Sequence, residues 1–181
     1  GQRLSSLGAI DEAGAPFALG HTLASLPLDP PLGRALLASS AILGASKAAR
    51  FVALLSEDLR VPGADLGALE RRLGRGGASD AGVGKAQAVK ETRARLERLA
   101  QRLPNSASDD ALASVVTTHQ EAGSRTREDE LALTCALAYP EWIARRRPGS
   151  AAYILAGGVG AELPQGSPLE GQEGLTGASI D

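Results

Sequence analysis

Aromatic side chains are scarce in this 181-residue chain: Phe17, Phe51, Tyr139, Trp142 and Tyr153 are the whole set. Alanine, leucine and valine must therefore build the core, which favours close-packed helices over aromatic-rich sheets. Cysteine is nearly absent too. The lone Cys135 forbids an intrachain disulfide and fits a reducing compartment, so the expected location is cytoplasmic. No stretch approaches the roughly 20 uninterrupted apolar residues of a membrane-spanning helix, and no membrane partner is expected. Nor is there an excess of charge of one sign. Nineteen Lys and Arg stand against 21 Asp and Glu, a formal net charge of -2, so no global basic character points to a polyanionic partner. Methionine is missing altogether and the chain opens at Gly1, which leads to the expectation of a piece of a longer protein; residues 1–10 have no basic leader followed by an apolar run, so a secretory signal peptide is not expected there.

What is present is unevenly spread. Residues 1–70 hold 5 basic and 7 acidic side chains, residues 71–147 hold 14 and 10, and residues 148–181 hold none and 4. The last segment also has eight of the 22 glycines and three of the ten prolines, Pro148, Pro164 and Pro168. This change of texture places a boundary near Pro148.

Apolar spacing predicts a helix over 17–26, with Leu19, Leu23 and Leu26 on one side, stopped by the prolines of 27–31. Pro31 suits the first position of the next helix, where a missing N–H costs nothing. The Ala- and Leu-rich stretch that follows to Ser56 reads as one buried helix or two, broken near Ser39-Ser40 or at Gly44. Asp65 is a candidate cap for a helix through Leu66, Leu69 and Leu73. Residues 74–84 read as a glycine-rich loop, and 85–103 as the best helix, with Val89, Leu96, Leu99 and Leu103 along one side and a solvated basic face elsewhere. Asp109 or Asp110 would start another through Leu112, Val115 and Val116. Leu131, Cys135 and Ala138 mark the next, Pro140 restarts a short helix over 141–147, and 153–155 and 175–180 read as strands.

Few residues offer chemistry. Gly82-Val83-Gly84-Lys85-Ala86 superficially suggests a phosphate-binding loop, but Ser79 stands where the first glycine belongs and Ala86 where a magnesium-binding hydroxyl is required. His21, His119 and Cys135 are too dispersed for a local metal motif, and Cys135 reads as a small core residue. Glu57-Asp58 and Glu128-Asp129-Glu130 are carboxylates by adjacency alone, pointing different ways on a helix, and read as a solvated turn or helix start. Arg145, Arg146 and Arg147 form the densest positive cluster. Three guanidinium groups there suit nucleic-acid phosphates, or else complement the dipole of a helix C-terminus.

Three blocks resemble the region after the two motor domains of bacterial DEAH-box ATP-dependent helicases, most closely the HrpB type. They are Leu7-Gly8-Ala9-Ile10-Asp11 with Gly14, Leu19-Gly20, Leu26-Pro27-Leu28-Asp29-Pro30 and Leu32; Ala53-Leu54-Leu55-Ser56-Glu57-Asp58; and Ala136-Leu137-Ala138-Tyr139-Pro140-Glu141 with Ile143-Ala144-Arg145-Arg146-Arg147, Tyr153 and 158–163. Residues 74–130 match weakly. Phe17, Pro31, Trp142, Gly157 and Val159 depart from the family, where a hydroxylated cap, an arginine, another arginine, and an asparagine and arginine are common.

The resemblance implies a mainly α segment: a degenerate winged-helix remnant over 1–30, a ratchet-like helical bundle over 31–147, and the start of a β-rich C-terminal domain over 148–181. It implies an accessory role in an ATP-dependent RNA helicase, with single-stranded RNA or DNA and the motor domains of the same chain as partners. The nucleic acid would be gripped by Arg145, Arg146 and Arg147. ATP and magnesium are expected in the motor domains, and no cofactor or catalytic residue in this segment. The competing reading is a stand-alone helical interaction module or a winged-helix DNA-binding regulator. Against the regulator, the helices before residue 60 offer only Arg34, Lys47 and Arg50 to a major groove.

Overall fold

The computed structural model describes residues 24–57, 65–74, 83–102 and 125–177. Within them run α1 (Pro30–Leu43), α2 (Ala45–Ser56), α3 (Leu66–Gly74), α4 (Val83–Arg102) and α5 (Arg127–Ala138), a 3-10 turn (Pro140–Trp142), and strands β1 (Ile143–Arg146), β2 (Tyr153–Leu155), β3 (Gly160–Ala161) and β4 (Gly174–Thr176). The described residues are mainly helical, with a small antiparallel sheet after the last helix. The expected helix over 109–116, His21, His119 and nearly all of the expected winged-helix remnant lie outside the described residues.

Helix α1 starts at Pro30, one residue earlier than Pro31 suggests, because both prolines fit the first turn, where N–H groups have no helical acceptor. It is buried on several sides (Leu32, Ala35, Leu36, Leu37, Ala38), since α2 packs on one flank and α5 on another. The break falls at Gly44, and Ser39-Ser40 lie inside the helix. Gly44 has φ 89° and ψ 152°, a conformation open to glycine and strained for any other residue. Ser39 is tolerated in the core because its hydroxyl donates back to Ala35 O one turn earlier.

Small side chains let the helices approach closely. Ala35, Ala48, Ala49 and Ala53 are fully buried with Leu36, Val52 and Leu96, so the main core lies where α2 meets α1 and α4 and where α5 covers α1. Truncating Leu36 or Leu96 to Ala removes about 2–5 kcal/mol of stability. A second cluster, Phe51, Leu54, Leu69 and Leu131, seats α3 against α2 and α5. Arg34 ties α1 to the end of α5 by donating to Leu137 O at 3.3 Å, and burial pushes its guanidinium below its ordinary value.

The expected helix over 141–147 is corrected. Only Pro140–Trp142 make a single 3-10 turn, and the chain then extends as β1. From Ile143 to Arg145 the exposure alternates outward, inward, outward, the period of a strand, and Ala144 sits in a third cluster with Tyr153 and Leu155. β1 is paired on both sides, which a lone helical turn could not match: Arg145 faces Ile154 of β2 and Gly174 of β4, in the order β3-β2-β1-β4. The sheet thus begins before Pro148, which lies in the turn after its central strand. β4 covers Gly174–Thr176, the start of the strand expected over 175–180, and residues 178–181 lie outside the described set.

Candidate nucleic-acid interface

The strand geometry separates the three arginines that the sequence presents as one cluster. Arg145 projects from the outer face of the sheet, between Ile154 and Gly174 in register, with Ile143 two residues along on the same face. Ile143 and Ile154 are 43% and 38% exposed, so this guanidinium rises from an aliphatic platform. Arg146 has the opposite parity and is half-buried. Arg147 is exposed at the start of a tight turn in which its N–H donates to Ala152 O and its carbonyl accepts from Ser150 N–H.

None of the three forms an ion pair among the described residues. The helix-dipole reading of the cluster is overturned as well, since no helix ends there. Their charges remain available to an outside anion.

The sheet is fixed to the bundle at its base. Cys135 on α5 donates its thiol to Gly177 O at 2.9 Å, and Gly177 N–H donates to Trp142 O at 3.1 Å. Tyr139 and Trp142 stack with centroids 4.6 Å apart. Burial pushes the Cys135 thiol up to about 11, although a hydrogen bond involving Thr176 works the other way. It is thus the buried residue expected from the sequence, and it also contacts the sheet.

Other basic groups are carried on α4. Lys90, Arg95, Arg98 and Arg102 are exposed, as the sequence suggests, and Arg93 reaches Ser46 Oγ at 3.4 Å. Among the described residues, no group of three metal-ligating side chains is found, and no helix is long and apolar enough to cross a membrane.

The carboxylates correct a sequence expectation. Glu128 and Asp129 are exposed at the start of α5, but Glu130 is buried and paired with Lys47 at 2.5 Å, because it falls on the face of α5 turned toward α2. Glu57, half-buried, accepts from Thr92 Oγ1 at 3.2 Å; Asp58 lies outside the described residues. Sequence reasoning also missed the platform of Ile143 and Ile154. The alternation of Ile143, Ala144 and Arg145 carried that signal, but three residues are too few to separate a strand from a helical turn.

No family model and no curated protein matches this chain. Among solved structures it is similar to the E. coli DExH-box NTPase HrpB, at 25% identity over 96% of this chain, with a TM-score of 0.61. The match spans 18% of the length of that protein. The likeness read from the three sequence blocks and the likeness of the fold therefore point to the same kind of protein.

Proposed function

Starting from the likeness to part of an HrpB-type DExH-box NTPase, we propose that this chain is an accessory segment of an ATP-dependent RNA helicase that acts in the cytoplasm. In this reading the helices form a ratchet-like bundle beside the winged-helix remnant. The bundle packs on motor domains of the same protein, helps to enclose a single strand of RNA or DNA, and advances it as those domains close on nucleotide. ATP and magnesium act in the motor domains. This segment contributes grip.

One observation carries the reading: three neighbouring arginines, without an ion pair among the described residues, stand on and just after a strand joined directly to the bundle. Phosphate-directed guanidinium groups bind without regard to sequence and with marked salt dependence. Arg145 adds a surface where a base can lie over Ile154 while its guanidinium meets the backbone. The test is to titrate single-stranded RNA into the protein at two salt concentrations, alongside a variant with Arg145, Arg146 and Arg147 changed to Ala. Each lost phosphate contact lowers the salt slope by about 0.7 on a single strand. An unchanged affinity and slope in the triple variant would refute the assignment.

A further inference from the structure

Arg146 does not share the open outer face of Arg145. Its guanidinium enters a groove of about 350 Å³ lined by Gly149, Ser150, Ala151, Glu170 and Gly171. A Cβ placed on Gly171 would lie 4.0 Å from Arg146 Nη1, which sets the guanidinium alongside that turn. Gly149 and Gly171 have φ of 70° and 88°, so both walls turn where side chains are smallest and backbone is reachable.

Two opposite charges line this groove without satisfying one another. Arg146 and Glu170 form no ion pair, and Glu170 Oε1 instead accepts from Gly166 N–H at 3.0 Å, which fixes the carboxylate on its own loop. The turn at Ser150, which also lines the groove, is held as well, because Ser150 Oγ accepts from Ala152 N–H at 3.0 Å. Beneath, Tyr153 of β2 pairs with Arg146 and donates its hydroxyl to Gln172 O at 2.9 Å, tying the second loop to the sheet.

A backbone phosphate at the rim can still draw on the Arg146 charge, but a phosphate seated inside the groove would also meet the Glu170 carboxylate. A group that complements both charges must offer acceptors to one and donors to the other. Among the four bases only guanine presents two adjacent acceptors, O6 and N7, together with two adjacent donors, N1–H and the 2-amino group. Arginine reads the first pair bidentately, and a carboxylate accepts the second. In a single strand both edges are free. Cytosine is the nearest competitor, with two acceptors and one amino donor.

We propose that the groove between the turns at Gly149 and Gly171 reads a guanine base of a single strand through Arg146 and Glu170. The proposal rests on the reading that this segment contacts single-stranded nucleic acid. It adds a base preference at one position to a grip that is otherwise blind to sequence.

Two probes separate the two claims. The first is a pair of uridine 12-mers, one with a single central guanine, titrated at fixed salt. The guanine oligomer should bind about tenfold tighter, and Glu170→Gln or Arg146→Gln should reduce that ratio to threefold or less. Equal binding of the two oligomers, or a ratio that survives both substitutions, overturns the groove while the strand-binding reading stands. The second probe is free guanosine against cytidine and adenosine, followed by the amide resonances of Gly149, Ser150 and Gly171. Selective, saturable shifts with guanosine while neither oligomer binds would keep the guanine site at the groove and overturn both the strand-binding reading and the placing of that guanine in a single strand. No shifts, or equal shifts with all three nucleosides, overturn the guanine site.

Discussion

The carboxylate of Glu70 on α3, 4% exposed, is held by the guanidinium of Arg50 on α2. Its second oxygen lies 4.0 Å from Arg127 in the first turn of α5. Lys47 and Glu130 link α2 to α5 in the same way, and Arg71 of α3 bonds Glu128 at the rim. Beneath these pairs the apolar contact is small: Phe51, Leu54, Leu69 and Leu131, with Leu43 and Leu66 at its edge. Thus α3 is seated by charge as much as by burial, whereas α1, α2 and α4 share the main core.

A buried carboxylate stripped of its partner is expensive. Arg50→Ala is expected to destabilise the protein by about 3 kcal/mol, because breaking an enclosed pair leaves an uncompensated charge and Arg127, itself more than half exposed, offsets only part of it. The double substitution Arg50→Met with Glu70→Leu should recover most of that loss, since apolar replacements remove both desolvation costs together. Urea unfolding of the three proteins decides the matter. An Arg50→Ala variant as stable as the parent would show that the pair is inert.

The start of α5 predicts an acid-side dependence. Thr126 Oγ1 accepts from Asp129 N–H at 3.2 Å, and the Asp129 carboxylate accepts from Thr126 N–H at 2.9 Å and from its hydroxyl, a reciprocal capping box. The Thr126 hydroxyl and then its N–H hold the Asp129 carboxyl below the usual carboxylate range, with Arg125 adding a smaller attraction. A depressed folded pKa means stability that is fully present above the unfolded value, about 3.9, and lost as pH falls through the lower folded value. Asp129→Asn should therefore flatten the unfolding profile below about pH 4 and leave its shape above pH 5 unchanged. Thr126→Ala should cost about 1 kcal/mol at neutral pH. A parent and Asp129→Asn variant with parallel profiles down to pH 2 would exclude this linkage.

Cys135 should be chemically silent in the folded protein. Its thiol is buried and its pKa is pushed up to about 11, so the reactive thiolate is almost absent at pH 8. With the folded value raised, its contribution to stability is complete below the unfolded pKa, about 8.5, and disappears as pH rises toward 11. Labelling by a thiol reagent at pH 8 is expected to be at least a hundredfold slower in buffer than in urea. Equal rates would mean that the junction between α5 and β4 opens freely.

The sequence conveyed the helices well where a whole face repeats over several turns. Of the apolar residues that mark the stretch to Ser56 in the sequence, Leu36, Leu37, Phe51 and Leu54 are buried, and Ile42, Leu43 and Leu55 are half-buried at the edge of the core. The cap at Asp65 also holds, with Ala68 N–H donating to its side chain at 2.9 Å. Short elements were harder to read. β1 is four residues long and β3 two, so their identity comes from neighbours brought beside them by the fold, such as Ile154 and Gly174 flanking Arg145. The same holds for charge. Adjacent residues Glu128, Asp129 and Glu130 look alike in sequence, yet the turn of α5 sends one to Arg71, one to its own cap and one beneath Lys47. The placement of Arg146 in a groove with Glu170 depends on a contact between segments that local periodicity does not encode.

Gly44 offers a test in which backbone and packing can be told apart. It closes α1, donating its N–H to Ser40 O at 2.9 Å, and opens α2, where Ala48 N–H reaches Gly44 O at 3.1 Å. A Cβ built there meets nothing within 4 Å, so an added methyl group has room. The conformation alone resists it, because φ 89° with ψ 152° belongs to a region essentially restricted to glycine, at a cost of about 1–3 kcal/mol for other residues. Gly44→Ala is therefore expected to lower stability by that amount, although alanine ordinarily gains stability by restricting the unfolded chain. The loss should appear in the urea midpoint with an unchanged denaturant slope, as no buried surface changes. A neutral or stabilising Gly44→Ala would mean that α1 and α2 can join through an ordinary turn, and the packing of Ala35 and Leu36 against Ala48 and Val52 would then no longer depend on this one glycine.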